Sequence, residues 1–199
     1  FTDILKRNKS GRMSERDVEH LTVIQRNGRR LSILIDDLVD VSRFDAGTLR
    51  ISINEFDAQE MLHDVVQSFD PIFEGKNQSL SLITDEEPIW INADQARLAQ
   101  VVTNLISNAS KYSPEGSSVE VEVNVAGDRL GLAVRDNGKG ISLEDQVNLF
   151  NPFFRVESDV ESAVPGTGLG LAISSSIIDL HGGEITVELF GREAPLTVE

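Results

Sequence analysis

The segment Asn104-Leu-Ile-Ser-Asn108-Ala-Ser-Lys111-Tyr112-Ser113 carries polar side chains at helical spacing. Residues four apart share one face of a helix, and the amide oxygens of Asn104 and Asn108 suit a hard cation such as Mg²⁺. Lys111 lies three residues on and can reach a phosphate, and Tyr112 can offer its ring face to a base. The alternative is an ordinary solvated polar face, since exposed Asn and Lys are common.

A second polar segment, Asp136-Asn137-Gly138-Lys139-Gly140-Ile141, directly follows a predicted strand. An Asp-Asn-Gly sequence at a strand end is usually only a turn. The functional alternative is that a buried Asp136 carboxylate accepts the exocyclic amine of a purine. Gly138 and Gly140 would then let the backbone come close to that ligand. Taken alone, the segment leaves both interpretations open.

Two further segments share this ambiguity. Phe150-Asn151-Pro152-Phe153-Phe154-Arg155 holds three of the nine Phe residues, which could simply be core, while Arg155 could donate to a phosphate. Gly166-Thr167-Gly168-Leu169-Gly170-Leu171 opens a predicted helix, and backbone N–H groups at a helix start bind phosphate. No lysine–hydroxyl pair follows these glycines, and no strand leads into them. The segment is therefore neither a P-loop nor a Rossmann turn.

Apolar periodicity predicts the elements that position these segments. Asp94 caps a helix whose stripe of Val101, Leu105 and Ile106 faces a core, and Pro114 and Gly116 stop it. Further helices are predicted from Asp57 to about residue 68, over 143–150 and over 169–180, and strands over 80–84, 89–92, 119–125, 130–134 and 184–190. The strands at 119–125 and 130–134 are joined by a tight turn and should be antiparallel. The pattern predicts a two-layer α+β sandwich with helices on one face of a mixed, mostly antiparallel sheet.

Residues 14–45 predict a long coiled-coil-like helix in front of this domain. Its apolar residues form a narrow seam that one helix cannot bury alone, so a partner helix or a second copy is expected. The seam residues are Leu21, Ile24, Leu31, Ile35 and Leu38. Ser14 and Asp17 fit a capping box, and Gly47 can end the helix. Residues 1–8 are interpreted as the tail of the partner helix and 9–13 as the turn, so we expect the chain to be part of something longer.

Composition narrows the function classes. The chain has 199 residues, a formal net charge of −15 and no cysteine. The acidic balance argues against nucleic-acid binding, and the lack of cysteine excludes thiolate metal sites and cysteine nucleophiles. No apolar run is long enough to cross a membrane. We therefore expect a cytoplasmic segment with neither nucleic-acid nor membrane contact.

In their order and spacing, the four segments resemble the N, G1, F and G2 boxes of sensor histidine kinases. The ATP-binding domain of these kinases has the Bergerat fold, shared with DNA gyrase and heat-shock chaperone ATPases. The resemblance covers essentially the whole chain. Residues 34–47 look like the end of the dimerisation helix, and His181-Gly-Gly-Glu184-Ile matches a recurrent family ending. The resemblance implies a partial dimerisation hairpin at 1–47 and a catalytic ATP-binding domain at 48–199.

The resemblance also implies roles for the matching residues. Asn104 and Asn108 would hold Mg²⁺, with Lys111 and Arg155 acting on the phosphates of ATP. Tyr112 would lie near adenine, and Asp136 would accept its amino group. The remaining ATP-binding residues implied are Gly138, Gly140, Ile141, Gly166, Thr167, Gly168, Leu169, Gly170 and Leu171. Residues 151–167 would form a mobile lid. Family members transfer the γ-phosphoryl group to a histidine on the dimerisation helices, then to an aspartate of a response-regulator receiver domain, and act as homodimers.

The chain departs from the family pattern in one respect. The acceptor motif, a histidine followed by acidic, apolar, Arg, Thr and Pro residues, is absent. His20 is expected on a surface or seam, His63 half-exposed, and His181 at a helix end where its charged form would suit the dipole. We therefore expect the chain to bind ATP without autophosphorylating by the usual route.

Three other function classes share part of this pattern. A hydrolase of the same superfamily carries a glutamate base where this chain has Asn104, and an amide cannot take a proton from water. A degenerate domain used only for binding is disfavoured by the intact glycines. An anti-sigma-factor serine kinase is disfavoured by the helix at 14–45, which such kinases lack.

Overall fold

The computed structural model describes residues 14–84, 87–127, 129–156, 166–188 and 194–198. The expected helix tail at 1–8 and turn at 9–13 lie outside these residues. The helices are α1 (Glu15–Asp45), α2 (Ala58–Ser68), α3 (Asp70–Glu74), α4 (Gln95–Tyr112), α5 (Leu143–Gln146) and α6 (Gly170–Leu180). The strands are β1 (Asn54–Asp57), β2 (Ser79–Ile83), β3 (Trp90–Ala93), β4 (Ser118–Ala126), β5 (Arg129–Asp136), β6 (Ile185–Val187) and β7 (Ala194–Val198).

Side-chain caps start the helices at the predicted residues. Ser14 accepts the N–H of Asp17 and donates its own N–H to the Asp17 carboxylate at 2.9 Å, which completes the capping box of α1. The carboxylates of Asp57 and Asp94 each accept a backbone N–H from the first turn of α2 and α4. These bonds satisfy N–H groups that have no partner inside the helix. At the other end of α1, Gly47 takes a φ of +63° just after the cap.

The main sheet has five strands in the order β2-β4-β5-β7-β6. β2 and β4 are parallel, and the remaining neighbours are antiparallel, including the predicted pair β4 and β5, where Val121 faces Val134. A separate antiparallel pair joins β1 and β3. The prediction of a mixed, mostly antiparallel sheet is therefore confirmed.

The core lies between this sheet and the helices that cover one of its faces. Alternate residues of β4 are buried, as the Val–Glu alternation predicts. The apolar stripes of the helices meet them from α2, α4 and α6. The largest fully buried side chains are Leu62, Val101, Leu105, Ile106, Val119, Val121, Val134, Ile173 and Ile177. The predicted two-layer α+β sandwich is confirmed.

Several predicted boundaries are wrong. The helix expected over 143–150 ends at Gln146, and Val147, which follows it, is exposed. The strand expected over 184–190 is Ile185–Val187, with residues 189 and 190 outside the described part. The predicted elements do not include α3, β1 or β7. Strands β2, β3, β4 and β5 each begin and end within two residues of their predicted positions.

Candidate functional site

The four segments singled out in the sequence meet around one cavity of about 260 Å³. They are residues 104–113, 136–141, 150–155 and 166–171. It lies between α4, the loop after β5, the Phe-rich segment and the start of α6. The predicted residues that line it are Asn104, Asn108, Lys111, Tyr112, Asp136, Gly138, Gly140, Ile141, Arg155, Gly166, Thr167, Gly168, Gly170 and Leu171. Segments that are distant in sequence thus supply one continuous wall.

α4 places Asn104 and Asn108 on its cavity face because they lie four residues apart. The Asn104 Nδ2 donates to the Gly170 carbonyl at 3.2 Å and to the Ser174 Oγ at 3.4 Å. These two bonds hold the nitrogen end of the amide against α6, which leaves the amide oxygen as the end that a cation could approach. The donor chemistry at this position fits a hard metal ion.

Lys111 and Tyr112 end α4 beside the glycine-rich loop. The Lys111 Nζ lies 5.5 Å from the centre of the Tyr112 ring, within the range of a cation–π contact. A Cβ placed on Gly166 would lie 3.7 Å from the same Nζ. The ammonium group is therefore within reach of any phosphate held by that loop.

Asp136 is the last residue of β5 and is largely buried. Its Oδ1 accepts the Gly138 N–H at 2.7 Å and the Ser113 hydroxyl at 3.3 Å. Burial raises the pKa of this carboxyl above its ordinary value of 3.8, although both hydrogen bonds act to lower it. Both bonds that reach it from the described residues go to Oδ1, so Oδ2 is the oxygen available to a ligand N–H.

Gly138 is required by the closeness of its neighbours. A Cβ there would lie 2.5 Å from the Asp136 Oδ1 and 3.1 Å from the Tyr112 carbonyl oxygen. A side chain at this position would displace the Gly138 N–H from the carboxylate. The second glycine of the segment, Gly140, has a φ of +73°, which favours glycine.

The Phe-rich segment and the glycine-rich loop are joined through their backbones. The Phe153 N–H donates to the Gly168 carbonyl at 2.8 Å. Gly168 has a φ of +73°, and a Cβ on it would lie 2.7 Å from the backbone of both Phe153 and Phe154. Only glycine fits here, so the loop glycine fixes where residues 153–155 lie. Residues 157–165 of the expected lid fall outside the described part of the chain.

The three Phe residues have different environments. Phe150 packs partly buried against the core, Phe154 lines the cavity, and Phe153 is 62% exposed with a φ of +66°. The core interpretation therefore holds for Phe150 alone. Arg155 lines the cavity next to Phe154.

Leu169 departs from the sequence expectation. It does not line the cavity, and its side chain is only 2% exposed within the core. Its backbone N–H donates to the Thr167 Oγ1 at 3.1 Å, so the residue instead shapes the entry to α6. As the cap of that helix it turns its side chain into the core, while Gly168 and Gly170 on either side line the cavity.

Some lining residues were not expected from the sequence. Ile33 and Asp37 reach the cavity from α1, and Ser107, Lys139 and Phe154 from the segments already described. The last three could have been found from their place within the motifs. Nothing in the local pattern of α1 links Ile33 or Asp37 to residues some 70 positions later.

His181 has a structural role. Its Nε2 accepts the Asp94 N–H at 3.0 Å, so Nδ1 carries the ring proton and donates to the Ile177 carbonyl at 2.8 Å. His181 lies directly after the end of α6, as expected, and both of its ring nitrogens are engaged in hydrogen bonds with the backbone. His20 and His63 are both exposed; for His63 this is more than the half-exposure expected.

Metal binding through acidic or imidazole clusters finds no support in the described ranges. There, no three His, Asp or Glu side chains converge where they could hold an ion. A metal at this cavity would depend on the asparagine oxygens and on a ligand's phosphates. Separately, none of the described helices is both long and apolar enough to cross a bilayer.

Comparison with known proteins identifies related sequences. The family described as histidine kinase-, DNA gyrase B- and HSP90-like ATPase matches residues 93–197, more than half of the chain. The sensor histidine kinase RcsC of Escherichia coli K12 is 36% identical over 173 residues, covering 86% of this chain. The match covers 18% of RcsC, so the chain corresponds to a small part of that relative.

Solved structures show the same fold. The histidine kinase AdeS of Acinetobacter baumannii matches with a TM-score of 0.74 and 27% identity, covering 94% of this chain and 84% of that one. Full-length ShkA in complex with AMPPNP matches with a TM-score of 0.79 and 25% identity, covering 94% of this chain and 39% of that one. The Bergerat-type fold expected from the sequence is thereby confirmed.

Proposed function

The chain belongs to the family of histidine kinase-, DNA gyrase B- and HSP90-like ATPases, and from that membership we propose that it is the ATP-binding catalytic region of a sensor histidine kinase. It would hold Mg²⁺-ATP and present the γ-phosphoryl group to a histidine. That group would then pass to an aspartate on a response regulator. The observation that carries the proposal is the meeting of four separate motif segments around one cavity.

The environment of Asp136 supports the binding of an adenine in this cavity. Its Oδ1 is held by Gly138 and Ser113, and Oδ2 remains to accept an exocyclic amine. A buried acceptor with a fixed orientation selects a ligand that places an N–H at that point. Tyr112 offers a ring face near the same wall, and the absence of a side chain at Gly138 leaves the acceptor accessible.

The binding of the ATP phosphates in this cavity is supported by Lys111, Arg155 and the glycine-rich loop. Lys111 and Arg155 bring positive charge to the cavity, and the start of α6 brings backbone N–H groups. Asn104 and Asn108 would hold Mg²⁺, which neutralises phosphate charge when bound. The protein's share of the reaction is thus to position the nucleotide and compensate its charge.

An amide at position 104 favours phosphoryl transfer over hydrolysis. Its Nδ2 is engaged with Gly170 and Ser174, and an amide oxygen cannot act as a base toward water at neutral pH. A hydrolase would need a carboxylate at this place. We therefore propose a phosphoryl donor rather than an ATP hydrolase.

The acceptor histidine is proposed to lie outside the 199 residues. Both ring nitrogens of His181 are used in structural hydrogen bonds. Neither His20 nor His63 lies in the expected acceptor motif. We expect no phosphohistidine on this chain after incubation with γ-labelled ATP, and label on His20 would contradict this.

The division of the chain and its assembly are also proposals. Residues 1–47 would belong to a dimerisation hairpin and residues 48–199 to the catalytic domain. The apolar residues Ile24, Leu31 and Leu38 are exposed on α1, which supports contact with a second copy. A homodimer mass in light scattering would agree with this, and a monomer at all concentrations would contradict it. The response regulator is proposed as the second partner.

The test is calorimetric titration of Mg²⁺-ATP into the wild type, Asp136→Ala and Asp179→Ala. Asp179 is exposed at the far end of α6 and serves as the matched control. Loss of a hydrogen bond to a charged acceptor is worth about 10- to 100-fold in affinity. We expect that loss for Asp136→Ala and no change for the control. A wild type that binds no nucleotide, or equal affinities for all three proteins, would contradict the proposal.

A further inference from the structure

One face of α1 forms part of the cavity wall. Ile33, Asp37 and Asp40 lie at steps of four and three residues, so they share a face of the helix. Ile33 and Asp37 line the cavity. The helix that precedes the catalytic domain therefore contributes directly to the site.

An ion pair holds this face in place. Asp40 is only 8% exposed, and both its oxygens accept from the Arg97 guanidinium, at 2.5 Å from Nη1 and 3.1 Å from Nη2. Two parallel bonds fix orientation as well as distance. Arg97 also donates to the Gln100 side chain at 2.9 Å, so the guanidinium is held from both helices.

The ion pair places α1 relative to the same helix that carries the asparagines. Asn104 lies seven residues after Arg97, two turns along the same face of α4. Asp37 lies one turn before Asp40 on α1, and Ile33 one turn further. Ile33 and Asn104 line the same cavity. From the ion pair, α1 leads to the cavity through Asp37 and Ile33, toward its N-terminal end. α4 leads there from Arg97 to Asn104, toward its C-terminal end. Asp37 lies at the cavity wall, one helical turn from the ion pair.

The charge environment of Asp37 is acidic. Burial, followed by the negative charges of Asp40 and Asp36, raises the pKa of its carboxyl. The other charged residues that line the cavity are Lys111, Lys139, Arg155 and Asp136, and they come from other elements. In its ionised form, the Asp37 carboxyl adds a negative charge from the α1 wall to a cavity that is otherwise suited to phosphates.

We propose that Asp37 makes the cavity select metal-bound over metal-free nucleotide, with the Asp40–Arg97 pair as the positioning contact. This inference rests on the proposed nucleotide function. A carboxylate on the wall repels the uncompensated phosphates of free ATP and attracts the Mg²⁺ of the complex. Both effects raise the ratio of the Kd for metal-free ATP to the Kd for Mg²⁺-bound ATP, whichever of the two is larger.

The experiment measures the Kd of ATP with excess Mg²⁺ and with excess EDTA for four proteins: wild type, Asp37→Asn, Asp36→Asn and Asp40→Asn. Asp36 is the matched control, because it is the adjacent residue with the same charge, is exposed and does not line the cavity. Circular dichroism confirms that each variant is folded.

We expect the ratio of Kd in EDTA to Kd in Mg²⁺ to fall by roughly three- to tenfold in Asp37→Asn. Asp36→Asn should stay within about twofold of the wild type, because its charge lies outside the wall. Asp40→Asn should lower the ratio as well, since α1 loses its contact with Arg97. If Asp37→Asn does not fold, the Kd ratio of Asp40→Asn decides: a lowered ratio supports the inference, and an unchanged ratio overturns it.

An unchanged ratio in folded Asp37→Asn, or an equal fall in Asp36→Asn, would overturn the inference. These outcomes differ from failure of the proposed function. In that case the wild type would bind neither form of ATP, and no ratio could be defined.

Discussion

Helices α1 and α4 have similar apolar periodicity but different environments. In α4, Val101, Leu105 and Ile106 are buried, and Leu105 is only 1% exposed. In α1, Ile24 is 59% and Leu38 is 53% exposed. Periodicity predicts that a helix has an apolar face to bury. The apolar face of α4 packs against its own sheet, whereas Ile24 and Leu38 on the seam of α1 stay more than half exposed in the described part of the chain.

The two helices are also attached differently. α4 is held by apolar contacts with α2, α6 and the sheet. α1 packs against α6 and is tied to α4 by the Asp40–Arg97 pair. We infer that α4 is integral to the catalytic domain, whereas α1 is docked on it by a small number of specific contacts.

Truncation of one leucine on each helix is the strongest test of this difference. Leu105→Ala should lower the free energy of unfolding by about 2–5 kcal/mol, because it leaves a cavity in the core. Leu38→Ala should change it by no more than about 0.5 kcal/mol, since its side chain is already exposed. Urea denaturation measures both. Similar losses from the two variants would show that α1 is part of the same core.

Two glycines sharpen the contrast between a packed and an open position. Gly168 and Gly116 both have positive φ, but a Cβ on Gly168 meets the Phe153 backbone, whereas one on Gly116 meets nothing within 4 Å. Gly168→Ala should cost about 2–4 kcal/mol and weaken ATP binding. Gly116→Ala should cost about 1–2 kcal/mol and leave binding unchanged. Equal effects on binding would mean that the loop is not held as described.

The smallest expected effect is the pH dependence of Asp136. Because burial raises the pKa of this carboxyl in the folded state, the folded protein binds the proton more tightly than the unfolded chain does. The Asp136 carboxyl therefore contributes its full stabilisation of the folded state below pH 3.8, and this stabilisation is lost as the pH rises through the raised pKa. The stability of the wild type relative to Asp136→Asn should therefore fall with rising pH over that window and then level off. A difference that grows with pH would contradict the direction of the shift.

The sequence predicts those parts of the fold in which the local pattern and the final environment agree. The caps at Ser14, Asp57 and Asp94, the alternating β4 and the stripe of α4 were all predicted, because each depends on contacts a few residues away. The polar segments could be grouped into one site because their order resembles a known family.

The missed features depend on contacts distant in sequence. β7 contains Pro195, which cannot donate to a ladder and argues against a strand, yet Pro195 lies at its second residue and pairs opposite Arg135. Asp37 lines the cavity on a helix that is tied to α4 by the bond between Asp40 and Arg97, 57 residues away in sequence. The Nε2 of His181 accepts the backbone N–H of Asp94, which is 87 residues away in sequence, and no local pattern predicts that bond.

The most direct test of the account is to map a nucleotide onto the backbone amides by NMR. On titration of Mg²⁺ with a non-hydrolysable ATP analogue, we expect the largest shifts at 104–112, 136–141 and 166–171, with smaller ones near Asp37 on α1. The outer face of α1, around Ile24, should not shift. Shifts confined to other surfaces, or none at saturating analogue, would contradict the assignment of this cavity as the nucleotide site.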